Sequence, residues 1–141
     1  MRAMAATMEA SPMKPLVHPA IEDVPLESIL YALADPVRVA LFVEILNQDG
    51  PSNCTRLVSV LEKPIPKSTL SLQMRILREA GLIRGERHGV EMRNSSRLEE
   101  VDARYPGLLL AIVTAHTIQV ENKRKRSSRR GSRTAASRSE T

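Results

Sequence analysis

Apolar residues along this chain recur mostly at helical spacing. Leu26, Ile29, Leu30 and Leu33 stand at i, i+3, i+4 and i+7, which places them on one side of a first helix. Asp35-Pro36 restarts the pattern, since Asp caps a helix through its side chain and Pro suits the first helical position. Val37 to Leu46 is apolar almost all round and predicts a buried central helix, stopped by Asn47-Gln48-Asp49-Gly50-Pro51. Ser52 or Asn53 can cap a third helix, whose Cys54, Leu57, Val58 and Leu61 repeat the same stripe. Lys63-Pro64-Ile65-Pro66 must be a turn, because neither proline fits a helix interior. A fourth helix is predicted from about Lys67 to Ala80, with Leu70, Met74 and Leu77 inward and Gly81 as its left-handed C-terminal cap.

Two short extended runs follow, Leu82 to Glu86 and Val90 to Asn94, joined through Arg87-His88-Gly89. After Arg97 helical spacing returns, breaks at Pro106-Gly107, and resumes through Leu109, Ile112, Val113, His116 and Val120. The predicted order is four helices, a hairpin and a last helix. The fold is mainly α with a small β-hairpin wing, a winged helix-turn-helix in which the third and fourth helices form the motif. Residues 1–24, with Pro12, Pro15 and Pro19 and no sustained period, read as a flexible N-terminal arm. Residues 25–122 form the folded domain, and 123–141, rich in Lys, Arg and Ser, read as a disordered basic tail.

Charge sharpens this picture once it is divided along the chain. The net charge is +5, but residues 123–141 alone carry +7. Within the body, residues 63–97 carry +5 between acidic flanks, of −4 over 1–62 and −3 over 98–122. A basic segment across the motif and wing is the electrostatic footprint of a duplex-binding module. Aromatics are 2% of the chain (Tyr31, Phe42 and Tyr105), too few for stacking platforms that hold single strands. The lone Cys54 excludes an internal disulfide and a multi-cysteine metal site, and on its apolar stripe it reads as a small buried hydrophobe. Met1 to Lys14 lacks the apolar core of a signal peptide, and Leu108 to Val120 is too short and too interrupted to span a bilayer; a cytoplasmic protein is expected. No Ser-His-Asp set, paired carboxylates or Gly-rich phosphate loop is evident, so no enzyme and no cofactor is expected.

The chemistry concentrates on the fourth helix. A turn of 100° per residue gathers Ser68, Ser71, Leu72 and Arg75 opposite the apolar stripe, with Lys67 and Thr69 at the start. Arg can fork onto guanine, hydroxyls take a base edge or a phosphate, and Leu can meet a thymine methyl in a major groove. On the wing, Arg84, Arg87, His88 and Arg93 suit flanking phosphates or a narrow minor groove. Two other classes stay open: a winged-helix protein–protein adaptor, and a basic RNA-associated protein suggested by the tail.

The run Leu77 to Ile83 (LREAGLI), preceded by Ser71 and followed by the Arg/Gly-containing hairpin, resembles the ArsR/SmtB-type winged-helix repressors. Leu33 to Leu46 (LADPVRVALFVEIL) is similar to the opening of that family. The similarity covers about residues 25–122. It implies a repressor acting as a homodimer on a palindromic operator in double-stranded DNA, released by an effector that the sequence does not name. The family's recognition positions fall on Lys67, Ser68, Ser71, Leu72, Gln73 and Arg75, where Leu72 and Gln73 stand in place of a frequent histidine pair. The implied interface joins the first and last helices through Leu26, Ile29, Leu30, Leu109, Ile112, Val113, His116 and Val120. The family's metal sites do not carry over. Asn53 and Thr55 occupy the third-helix cysteine positions, and Thr114-Ala115-His116 replaces the last-helix ligand pair, so no metal is expected.

Overall fold

A computed structural model describes residues 16–48, 52–59 and 61–139, without the side chains of Ser52, Cys54, Thr55 and residues 134–139. A 3-10 turn at Ile21–Asp23 leads into helices α1 (Leu26–Ala32) and α2 (Pro36–Asn47). A short strand β1 (Ser52–Asn53) precedes α3 (Cys54–Ser59) and α4 (Lys67–Glu79). Strands β2 (Ile83–His88) and β3 (Glu91–Ser96) make the wing, and α5 (Leu98–Arg104) and α6 (Leu108–Ser139) complete the chain. The mainly helical architecture with a hairpin wing is the one that the apolar spacing predicts.

Local chemistry sets the helix ends. Asp35 caps α2, its Oδ1 accepting the N–H groups of Val37 at 2.8 Å and Arg38 at 3.2 Å, with Pro36 in the first turn. Asn53 caps α3 by accepting the Arg56 N–H at 2.9 Å. Gly81 ends α4 at φ +76°, and there the Leu82 N–H reaches back to the Leu77 carbonyl at 3.1 Å and the Gly81 N–H to Arg78 at 3.0 Å. This pair of bonds is a Schellman ending, which needs a left-handed residue at that point. The central helix α2 buries Val39, Leu41, Phe42 and Ile45, and Ile29, Leu57, Leu77, Leu82, Ile83 and Leu109 pack fully buried around it. Each such side chain contributes about 1.5–3 kcal/mol relative to exposure, so an aliphatic core suffices with a single phenylalanine.

The sheet departs from expectation in two ways. β1 pairs antiparallel with β3, Ser52 opposite Asn94, so the wing is a three-stranded sheet in the order β1-β3-β2. Arg87 and His88, expected in the turn, belong to β2; the reversal is made by Gly89, at φ +65°, and Val90. A two-residue connection opened by a left-handed glycine matches the twist of paired strands, so it displaces the longer turn.

Both chain ends also require correction. Of the arm expected to be flexible, residues 16–24 are packed on the body: His18 Nε2 accepts the Gly85 N–H at 3.0 Å, Arg97 Nη1 donates to the Pro19 carbonyl at 2.8 Å, and Val24 is buried. Residues 1–15 lie outside the described ones. The tail expected to be disordered continues α6 to Ser139. Helix needs only local backbone bonds, and Lys and Arg are good helix formers, so a lack of core-forming residues does not prevent it. Among the described residues no helix is long and apolar enough to cross a membrane.

Candidate nucleic-acid interface

Helix α4 opens without a side-chain cap at Pro66 and turns Leu70, Met74 and Leu77 into the core. Its outward arc carries Lys67, Ser68, Ser71, Leu72 and Arg75, all exposed, with Leu72 at 47%. Five of the seven residues expected to read DNA therefore stand together on one accessible surface. The other two do not. Thr69 is half-buried, and Gln73 is half-buried with its Oε1 accepting from Arg38 Nη1 at 3.0 Å. Its carbonyl is committed inside the protein, because 100° per residue turns position 73 toward α2 and away from the arc.

Two residues at this surface escaped the sequence reading. Arg38, 8% exposed, donates from Nε to the Ala32 carbonyl at 2.7 Å and from Nη2 to the Tyr31 carbonyl at 3.0 Å. It thus satisfies the last carbonyls of α1 and, through Gln73, ties that end to α4. Glu79 stands one turn beyond Arg75 on the same arc, its Oε1 3.7 Å from Arg75 Nε. The i, i+4 spacing of opposite charges was the readable signal for that pair.

The wing arranges its charges by face. Register pairs Arg84 with Ser95, Glu86 with Arg93 and His88 with Glu91, so Arg84, His88 and Arg93 share one face with two glutamates. Each of these side chains has a carboxylate within reach: Arg84 to Glu100 at 3.5 Å, His88 to Glu86 at 3.4 Å and Arg93 to Glu91 at 3.5 Å. Arg87 lies on the opposite face beside Met92. The wing holds the four expected residues, but much of their charge is balanced locally.

At the base of the wing the strands close on α4. A Cβ on Gly85 would lie 3.2 Å from Arg78 Nε and 3.3 Å from Met92 Sδ. Arg97, 5% exposed, grips Glu100 with two bonds, Nε to Oε2 at 2.7 Å and Nη2 to Oε1 at 3.1 Å. That grip, helped by Arg84, holds the Glu100 carboxyl below its ordinary pKa. His18 is likewise held below its ordinary value, first by burial and then by Arg84, Arg78 and Arg97, against an opposing pull from Glu86.

The implied interface is divided by the fold. Ile29 and Leu109, expected on it, are fully buried within the protomer and belong to its core. Ile112 and Val113 pack partly against the same core, and His116 and Val120 are half-buried. The start of the last helix's apolar stripe, at Leu109, Ile112 and Val113, thus packs on the chain's own core. Leu26, Leu30 and Tyr31 on α1, and Leu110 and Ile118 on α6, are large exposed apolar side chains of these two helices, at 39%, 46%, 64%, 68% and 54%. Among the described residues no cluster of three or more His, Cys, Asp or Glu is placed to hold a metal; the Cys54 side chain lies outside them.

Residues 33–86, from the end of α1 into β2, match the family described as a helix-turn-helix domain. No curated protein matches the sequence. Among solved structures, an ArsR family transcriptional regulator is similar at 24% identity and a TM-score of 0.50, over 59% of this chain and 87% of its own. An ArsR-like transcriptional regulator from Rhodococcus sp. RHA1 is similar at 19% identity and a TM-score of 0.48, over 73% of this chain and 87% of its own. Its fold is a winged helix-turn-helix similar to that of the first of these structures, and residues 33–86 resemble a helix-turn-helix domain.

Proposed function

We propose that this chain is a DNA-binding transcriptional regulator that reads duplex sequence with α4 and acts as a repressor. The observation that carries this reading is the outward arc of α4. Lys67, Ser68, Ser71, Leu72 and Arg75 stand together on a helix presented between a proline-bounded turn and a projecting hairpin. A guanidinium, two hydroxyls and one apolar group are the donors and contacts that distinguish base pairs in a major groove. Lys67 and the wing's Arg87 and Arg93 supply phosphate contacts that set register without reading sequence.

The protein works as a homodimer in the cytoplasm. Leu26, Leu30, Leu110 and Ile118 leave apolar surface on the first and last helices for a second copy to cover. Two-fold symmetry then sets the two α4 helices about one turn of DNA apart, ~34–36 Å, and calls for a palindromic site. Binding over a promoter excludes polymerase, and no metal or cofactor enters the mechanism.

The test is selection of preferred duplexes from a random pool, followed by mobility-shift titration of the selected and a scrambled duplex across salt. Sequence preference superposed on a steep salt slope supports the reading. Binding without preference, or none to duplex at all, overturns it in favour of an RNA or protein partner.

A further inference from the structure

We propose that residues 123–133, within the outer part of α6, form a second DNA-binding surface: a cationic helix face that lies along the phosphates beside the sequence read by α4. The proposal rests on the duplex-binding reading above and concerns a segment that reading does not use. Once the segment is helical, its charge acquires a period. At 100° per residue, Lys123, Lys125, Arg126, Arg129, Arg130 and Arg133 fall within an arc of roughly 160°. Ser127, Ser128 and Gly131 occupy the other side, with Arg124 among them. All these residues are exposed, and the sequence from Asn122 to Ser139 holds no carboxylate side chain.

One contact places the start of this segment. The inner half of α6 is rooted in the core by Leu109, while Lys123 Nζ donates to Glu62 Oε2 at 3.4 Å. Glu62 lies in the turn between α3 and α4, so the cationic half begins beside the helix-turn-helix itself. From Lys123 to Arg133 the helix rises ~15 Å. A duplex presents one negative charge per about 1.7 Å of its axis, so a stripe of that length faces several phosphates.

Electrostatics selects the partner. Arg126 with Arg130 and Arg129 with Arg133 are like-charge pairs at i, i+4, which weaken an isolated helix. A row of phosphates removes that repulsion, so binding and helix formation favour one another. A lipid surface fits poorly, because helices that lie in membranes need a large apolar face opposite the basic one. Here that side is serine, glycine and one arginine.

The experiment compares the full chain with two variants by salt-dependent titration on the selected and the scrambled duplex. In the first, Arg126, Arg129, Arg130 and Arg133 are each changed to Gln. Both affinities are expected to fall by similar factors, with the logarithmic salt slope shallower by about 0.9 for each phosphate no longer neutralised. The preference for the selected duplex is expected to persist, which also shows that the domain is folded. In the second, Arg126→Ser with Ser127→Arg and Arg129→Ser with Ser128→Arg keep the charge but move two cations off the stripe. A shallower salt slope in this variant supports a helix face; parental behaviour overturns it, leaving charge number alone. If the parent binds duplex with preference and the four-Gln variant is unchanged, this proposal fails while the function of α4 stands. If the parent binds no duplex, both fail. Tighter binding of the parent to phosphatidylserine vesicles or to polyglutamate than to scrambled duplex at the same salt also overturns the proposal.

Discussion

On the proposed reading surface Arg75 is the side chain suited to guanine, and it is also a partner in an intramolecular ion pair. To reach guanine it must exchange Glu79 for the base, so the two neighbours should respond in opposite directions. Arg75→Ala is expected to cost about 1–3 kcal/mol on the preferred duplex and to relax discrimination at one base pair. Glu79→Gln removes a carboxylate from the DNA-facing arc and frees the guanidinium; titration should show tighter binding to every duplex, by a few-fold and less at high salt. His18 offers a pH test of another kind. Its Nε2 accepts the Gly85 N–H only when neutral, and its pKa lies below the ordinary 6.5. The folded chain therefore takes up a proton less readily than the unfolded one. The docked arm contributes fully above about pH 6.5, and that stability is lost as pH falls from there through the lower folded value. Exchange of the Gly85 amide, corrected for intrinsic chemistry, should accelerate only as pH falls below about 6.5, and His18→Ala should abolish that dependence. Unchanged protection across this range would contradict the docking.

Among the elements, the junction of α4 with the wing is held most tightly by local geometry. Gly81 sits at φ +76°, and a Cβ there would lie 2.8 Å from Val24 Cγ2. Gly81→Ala is thus strained twice, by backbone sign and by contact with the arm, and a loss of about 2 kcal/mol or more in denaturant unfolding is expected. These punctuation points are legible in the sequence because they are local. Asp35-Pro36, Pro64 with Pro66, and Gly81 act on bonds within a few residues, and the sequence displays the whole cause. Strand β1 is not legible: two residues without an alternating pattern become a strand only because Asn94 and Arg93 arrive beside them. Arm docking is likewise invisible locally, since His18 and Gly85 are 67 positions apart. Gln73 defeats a local reading for the same reason, its partner Arg38 lying on another helix. The stripe of the last helix is readable as a stripe, but periodicity does not say whether the chain's own core or a second copy will cover it.

For the molecule as a whole, the exposed leucines of α1 and α6 define the assembly test. Sedimentation at micromolar concentration should give a dimer, and Leu30→Glu with Leu110→Glu should give a folded monomer with a large loss of operator affinity. A stable parental monomer would contradict the two-fold arrangement. Arg38 gives this assembly a thermodynamic consequence. One guanidinium closes the end of α1 and holds Gln73 of α4, so the two helices share a single set of bonds. Any event that tilts α1 must stretch those bonds or carry α4 with it. Whatever free energy passes from α1 to the reading helix must also pass back. An effector that loosens the operator complex by a given factor will itself be bound more weakly, by that same factor, when the operator is occupied. Arg38→Met, which keeps bulk without the bonds, should shrink this reciprocal factor toward one.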